Sequence, residues 1–91
     1  MNLNKFNDDA RMLLSRYGRE HQIEKAIEEC IECAEALQEL LDYSEKVHAV
    51  EEVADCSLMM LQMCSHLGAA EVEAMIQQKI ERQKGRIENG H

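Results

Sequence analysis

The chain has no proline and no tryptophan, and its 91 residues include only one phenylalanine and two tyrosines. Without proline nothing breaks a helix sterically, and three aromatic residues offer a sheet little of the bulky surface it packs with. Glycine is also scarce, with four in all, so positions free to reverse the chain are few. Basic residues number 10 against 18 acidic ones, a net charge of -8. That balance opposes the counterion release on which DNA and RNA binding depends, so a nucleic-acid polymer is not an expected partner. No apolar run approaches the ~18 residues of a membrane helix, and no membrane partner is expected. The opening stretch "MNLNKFNDDA" has neither the charged nor the apolar region of a signal peptide. A soluble, cytoplasmic protein is expected. Thiols stay reduced there, so Cys30, Cys33, Cys56 and Cys64 do not imply a disulfide framework.

What the chain does have is Ala, Leu, Glu, Gln and Met in abundance, and these are strong helix formers. The fold class is all-α. Gly18 follows "DDARMLLSRY" and Gly68 follows the apolar-periodic "VEEVADCSLMMLQMCSHL", each where a helix end favours a residue with positive φ. Between them the polar "DYSEK" forms a break, with Ser44 expected to cap the next helix. Four helices are predicted, roughly 3–17, 20–42, 45–67 and 70–87, in a single domain 1–91 with a fraying tail "ENGH". Neither a repeat nor a linker signals a second domain. A chain this short buries little core alone, and its four amphipathic stripes have more apolar edge than they can cover. An oligomer is therefore expected, a homodimer first and a tetramer second.

At about 100° per residue, Ile23, Ala26, Cys30, Cys33, Leu37, Leu40 and Leu41 share one stripe of the second helix, with Glu29 and Glu32 at its edge. Ala49, Val53, Cys56, Met60, Met63 and Leu67 form the stripe of the third, with Glu52 and Asp55 at its edge in the same relation. Side chains three residues apart lie one above the other on a helix face. Each helix thus offers two carboxylates side by side, and two helices packed antiparallel offer four. Like charges so close cost stability unless a cation neutralises them, and hard oxygen donors suit Mg²⁺ or Mn²⁺. Taken alone, an E-x-x-E is common on any acidic amphipathic helix; the matched second pair is what turns it into a candidate site. The cysteines read differently. Cys30-x-x-Cys33 lies inside a helix on the apolar stripe, where thiols usually serve as small hydrophobes. His48 makes an E-x-x-H with Glu45, but a di-iron bundle needs that motif twice and it occurs once.

"EECIECAEAL" followed by "EEVADCSLMMLQM", with nineteen residues between Glu32 and Glu52, resembles the E-x-x-E, spacer, E-x-x-D signature of the MazG-like, all-α nucleoside triphosphate pyrophosphohydrolases, relatives of the dimeric dUTPases and dCTPases. The resemblance spans nearly the whole chain and implies a four-helix, MazG-like bundle assembled as an oligomer. By the same resemblance, Glu29, Glu32, Glu52 and Asp55 would bind Mg²⁺, with Mn²⁺ as a substitute. The substrate would be a nucleoside triphosphate, cleaved to the monophosphate and pyrophosphate, with a non-standard or deoxypyrimidine nucleotide as the expected class. Glu28 or Glu35 would be the general base, and His21 would approach the nucleobase. Lys79, Arg82, Gln83 and Arg86 fall at i, i+3, i+4 and i+7 of the last helix and resemble the family's basic C-terminal segment that meets the phosphates. Gln83 departs from the family's asparagine, and a basic last turn also simply complements a helix dipole. The competing functional class is an inactive helical dimerisation module whose acids hold a vestigial or structural cation.

Overall fold

Helix propensity is realised almost throughout residues 1–90, the part that this computed structural model describes. After a short 3-10 turn at Leu3–Phe6, α1 runs Asn7–Tyr17, α2 Arg19–Tyr43, α3 Lys46–Leu67 and α4 Ala69–Glu88. The chain is an all-α four-helix arrangement, and among the described residues no helix is long and apolar enough to cross a membrane. Of the tail expected to fray, Glu88 ends α4, Asn89 and Gly90 form a turn, and His91 lies outside the described residues.

Local chemistry explains the joints. The Asn2 side chain accepts from the Asn4 amide at 3.0 Å to start the first turn, and Asp8 and Asp9 place negative charge at the positive end of α1. Gly18 (φ 88°) and Gly68 (φ 111°) end α1 and α3 and start the next helix at once. The break between α2 and α3 differs from expectation. Ser44 does not cap α3; it sits in the left-handed region (φ 58°, ψ 31°) at the end of α2, and the Glu45 side chain caps α3 by accepting from the Val47 amide at 3.1 Å. A residue closing one helix in that conformation has no freedom left to open the next.

α2 and α3 run antiparallel: Gln22 meets Gln62, Cys30 meets Cys56 and Glu39 meets His48, so partners step in opposite directions along the two helices. α1 packs across α3, whereas α4 touches mainly the end of α3 where it leaves at Gly68. The apolar interior is small, made of Ala10, Ala26, Ala36, Ala49 and Met59, and α4 contributes no buried residue. Much of the expected apolar stripe lies outside it: Leu37, Leu40, Leu41, Val53, Met60 and Leu67 are exposed. Alanines let the α2 and α3 backbones approach closely, and the larger side chains are turned outward as a result.

Candidate metal centre

The buried face of α2 is Gln22, Ala26, Glu29 and Ala36. These spacings of four, three and seven residues stay on one helix face, so Glu29 shares the phase of the alanines that make the seam. It was expected at the edge of the stripe; the structure puts it inside, 7% exposed. From α3, Glu52 reaches the seam half-buried, and Asp55 lies at its open rim. One carboxylate oxygen from each of Glu29, Glu52 and Asp55 falls within 4.8 Å of the others.

Each inner carboxylate is held by one oxygen and presents the other. Lys25 Nζ lies 3.1 Å from Glu29 Oε1, and His48 Nε2 lies 3.5 Å from Glu52 Oε1. The second oxygens, Glu29 Oε2 and Glu52 Oε2, are buried without a hydrogen-bond partner. His48 is oriented from its other side, its Nδ1 lying 2.6 Å from Glu39 Oε2 near the far end of α2. That hydrogen bond, and the negative charge of Glu39 and Glu52, raise the imidazole pKa above its usual value and favour the charged ring. Lys25 is likewise raised, first by its hydrogen bond to Glu29.

Glu32, the fourth expected ligand, is half-buried beside this group rather than within the close trio. It nonetheless senses the cluster: the charge of Glu29 foremost, then burial and the charge of Glu52, lift its carboxyl above the ordinary range. The donor set is all carboxylate oxygen, two of its oxygens are orphaned, and a third carboxylate stands open to solvent. Such a set fits a hard divalent cation such as Mg²⁺ or Mn²⁺.

The remaining candidates lie elsewhere. Glu28 and Glu35 are exposed and stand outside the close carboxylate group. A 340 Å³ cleft at the cluster is lined by Lys25, Glu29, Asp55, Leu58 and Met59, with no residue of α4 among them. Within one chain Lys79, Arg82, Gln83 and Arg86 therefore do not line the carboxylate cleft. His21 sits two turns before Glu29, about 12 Å along the axis, stacked on Tyr17 with ring centroids 5.5 Å apart. Its Nδ1 lies 2.7 Å from Gln22 Oε1, and Gln22 Nε2 donates to Gln62 Oε1 at 2.7 Å in the α2–α3 seam.

Cys30 and Cys56 meet with sulfurs 3.6 Å apart, and all four cysteines are free thiols. Burial, then contact with Cys30, pushes Cys56 up to about 11, so it stays a protonated thiol, whereas Cys30, expected on a packed stripe, is exposed. Sequence reasoning missed Lys25 as a partner of Glu29 and the Glu39–His48–Glu52 connection. A signal was there: each inner acid has a basic residue four positions ahead of it, the spacing of facing neighbours on a helix. Compared with family models, with curated proteins and with solved structures, the chain matches none.

Proposed function

We propose that the chain is a divalent-metal-dependent nucleoside triphosphate pyrophosphohydrolase, with Glu29, Glu32, Glu52 and Asp55 holding Mg²⁺ or, in its place, Mn²⁺. The observation that carries this reading is a close group of three carboxylates in which two, Glu29 and Glu52, each have a buried oxygen with no hydrogen-bond partner. A buried carboxylate oxygen left without a partner costs about 1–3 kcal/mol, and a bound cation is the simplest way to offset it. The spacing of the two acid pairs, which resembles the MazG-like signature, supplies the reaction class.

The ion would neutralise polyphosphate charge and make water a better nucleophile, the two services that phosphoryl transfer chiefly needs. The chain's own part is positioning. Glu29 is fixed by the alanine seam and by Lys25, and Glu52 is oriented by His48, so both ligands are pre-set before any ion arrives. Glu32 is kept as the fourth ligand, because the charges of Glu29 and Glu52 that raise its pKa are those a cation would balance. Water adds to phosphorus, the phosphoanhydride bond breaks with pyrophosphate or its equivalent leaving, and the water proton passes to a carboxylate, for which Glu28 and Glu35 remain the candidates. Lys79, Arg82, Gln83 and Arg86 would neutralise the phosphates, and α4 of a second copy would have to bring them, as none lines the cleft within one chain.

The test is pyrophosphate release from a panel of ribo- and deoxyribonucleoside triphosphates with Mg²⁺, weighted toward deoxypyrimidine and non-standard bases. Activity is expected on at least one, falling about 100-fold or more in Glu32→Gln and Asp55→Asn. Release from none, or equal release by the variants, would overturn the proposal. A second reading, an inert dimerisation module with a structural cation, is favoured by the amount of apolar surface left uncovered. It would be selected by a Mn²⁺-induced rise in melting temperature without hydrolysis of any nucleotide.

A further inference from the structure

The isolated chain is too open for its size. A monomeric globular protein of 10.5 kDa is expected to expose about 5,400 Å², yet this chain exposes 7095 Å². Its radius of gyration is 15.5 Å, against about 12 Å for a compact chain of this length. The surplus is about 1,700 Å² per chain by the same scaling, and two apolar surfaces contribute to it. One is the length of α4, where Leu67, Val72, Met75, Ile76, Ile80 and Ile87 line a single 750 Å³ trough. Val72, Ile76 and Ile80 recur every four residues, with Met75 three after Val72 and Ile87 seven after Ile80, as on a helix face built to be covered. The other is the outer groove of α2 and α3, where Leu37, Leu40, Val50 and Val53 line a 400 Å³ depression. It continues through Val53 and Ser57 into a second depression lined by Cys56, Met60 and Cys64.

We infer that a second copy of this chain covers both surfaces reciprocally, the α4 stripe of each copy lying in the α2–α3 groove of the other. Area favours this occupant. Two copies covering their surplus would bury about 3,400 Å² in total, within the ~2,000–5,000 Å² range of obligate homodimers. Charge favours it as well: α2 and α3 together carry eleven acidic and three basic residues, whereas Lys79–Glu88 carries four basic and two acidic ones. Lys79, Arg82 and Arg86 border the α4 stripe and would face the acidic layer of the partner. An exchange of this kind is isologous, so it closes at two copies and leaves no open edge.

The inference does not depend on hydrolysis, and its test needs neither metal nor nucleotide. Light scattering on the full chain should give twice the chain mass at micromolar concentration. Ile76→Asp with Ile80→Asp on α4, and separately Leu37→Asp with Val50→Asp in the groove, should each weaken association by at least ~100-fold. These side chains are exposed within one chain, so circular dichroism should stay helical; if either pair unfolds, the serine versions of the same substitutions replace it. Mixing the two variants should restore a dimer, since one α4 and one groove remain intact between them. A monomeric wild type, a dimer that survives both variants, or a mixture that stays monomeric would overturn the exchange. A groove variant that stays dimeric while the α4 variant does not would also overturn it, and would indicate that α4 pairs with α4 instead.

Discussion

Lys25 and His48 stand one helical turn ahead of Glu29 and Glu52, the two innermost carboxylates. This residue-scale arrangement decides how the cluster tolerates its own charge. At an effective dielectric of ~20, two carboxylates whose oxygens lie within 4.8 Å of each other repel by about 3 kcal/mol. The Lys25 bridge is nearly half exposed on the lysine side, and solvent screening makes it return less than that. Repulsion therefore wins when no cation is present. Glu29→Gln should raise the metal-free melting temperature by about 4 °C or more and abolish the further rise that Mn²⁺ produces in the parent chain. Thermal denaturation with chelator and with Mn²⁺ checks both, and a lower metal-free melting temperature would mean that the bridge dominates. The four-residue offset was legible in the sequence. That Glu29 lies inside the seam and Glu32 beside it was not, because both fall within one helical turn of the boundary and the alanine contacts settle the rotation.

Joints decide how the helices are aimed. Gly68 holds φ 111°, and a Cβ added there would come 3.3 Å from Glu71 Oε1. Gly85 lies in helical conformation inside α4 with nothing within 4 Å of an added Cβ. Opposite signs follow: Gly68→Ala should destabilise by about 1–2 kcal/mol through backbone strain, and Gly85→Ala should stabilise by about 0.5–1 kcal/mol through its lower unfolded-state entropy. Denaturant titration of the two variants measures this, and equal effects would contradict the joint assigned to Gly68. Helix existence and the glycine stops were readable from pattern to within a residue or two. The α3 cap was not, because Ser44 and Glu45 are both plausible caps, and only the left-handed backbone at Ser44 passes the task to Glu45.

For the whole molecule, exposed surface outweighs the interior. Among the described residues four alanines and one methionine make up the buried apolar set, and alanine gives up little area on burial, so the proposed dimer would supply much of the hydrophobic stabilisation. The melting temperature should therefore rise with protein concentration, by about 3–5 °C for each tenfold increase. Calorimetry over two decades of concentration checks it, and a constant melting temperature would place the stability within the single chain.

Helicity, the positions of the stops, the acidic balance and the spacing of the two carboxylate pairs were determined by the sequence itself. All of them depend on interactions within a few residues, which local propensity and a 3.6-residue period express directly. Tertiary structure decided which face of α2 turns inward, which three carboxylates meet, and that α4 leaves the other helices. A helix with apolar residues over much of its circumference can pack in more than one rotation. The close fit of Ala26, Ala36 and Ala49 selects the one that buries Glu29, and the backbone angles at Gly68, which no periodicity encodes, send the basic helix away from the acids of its own chain.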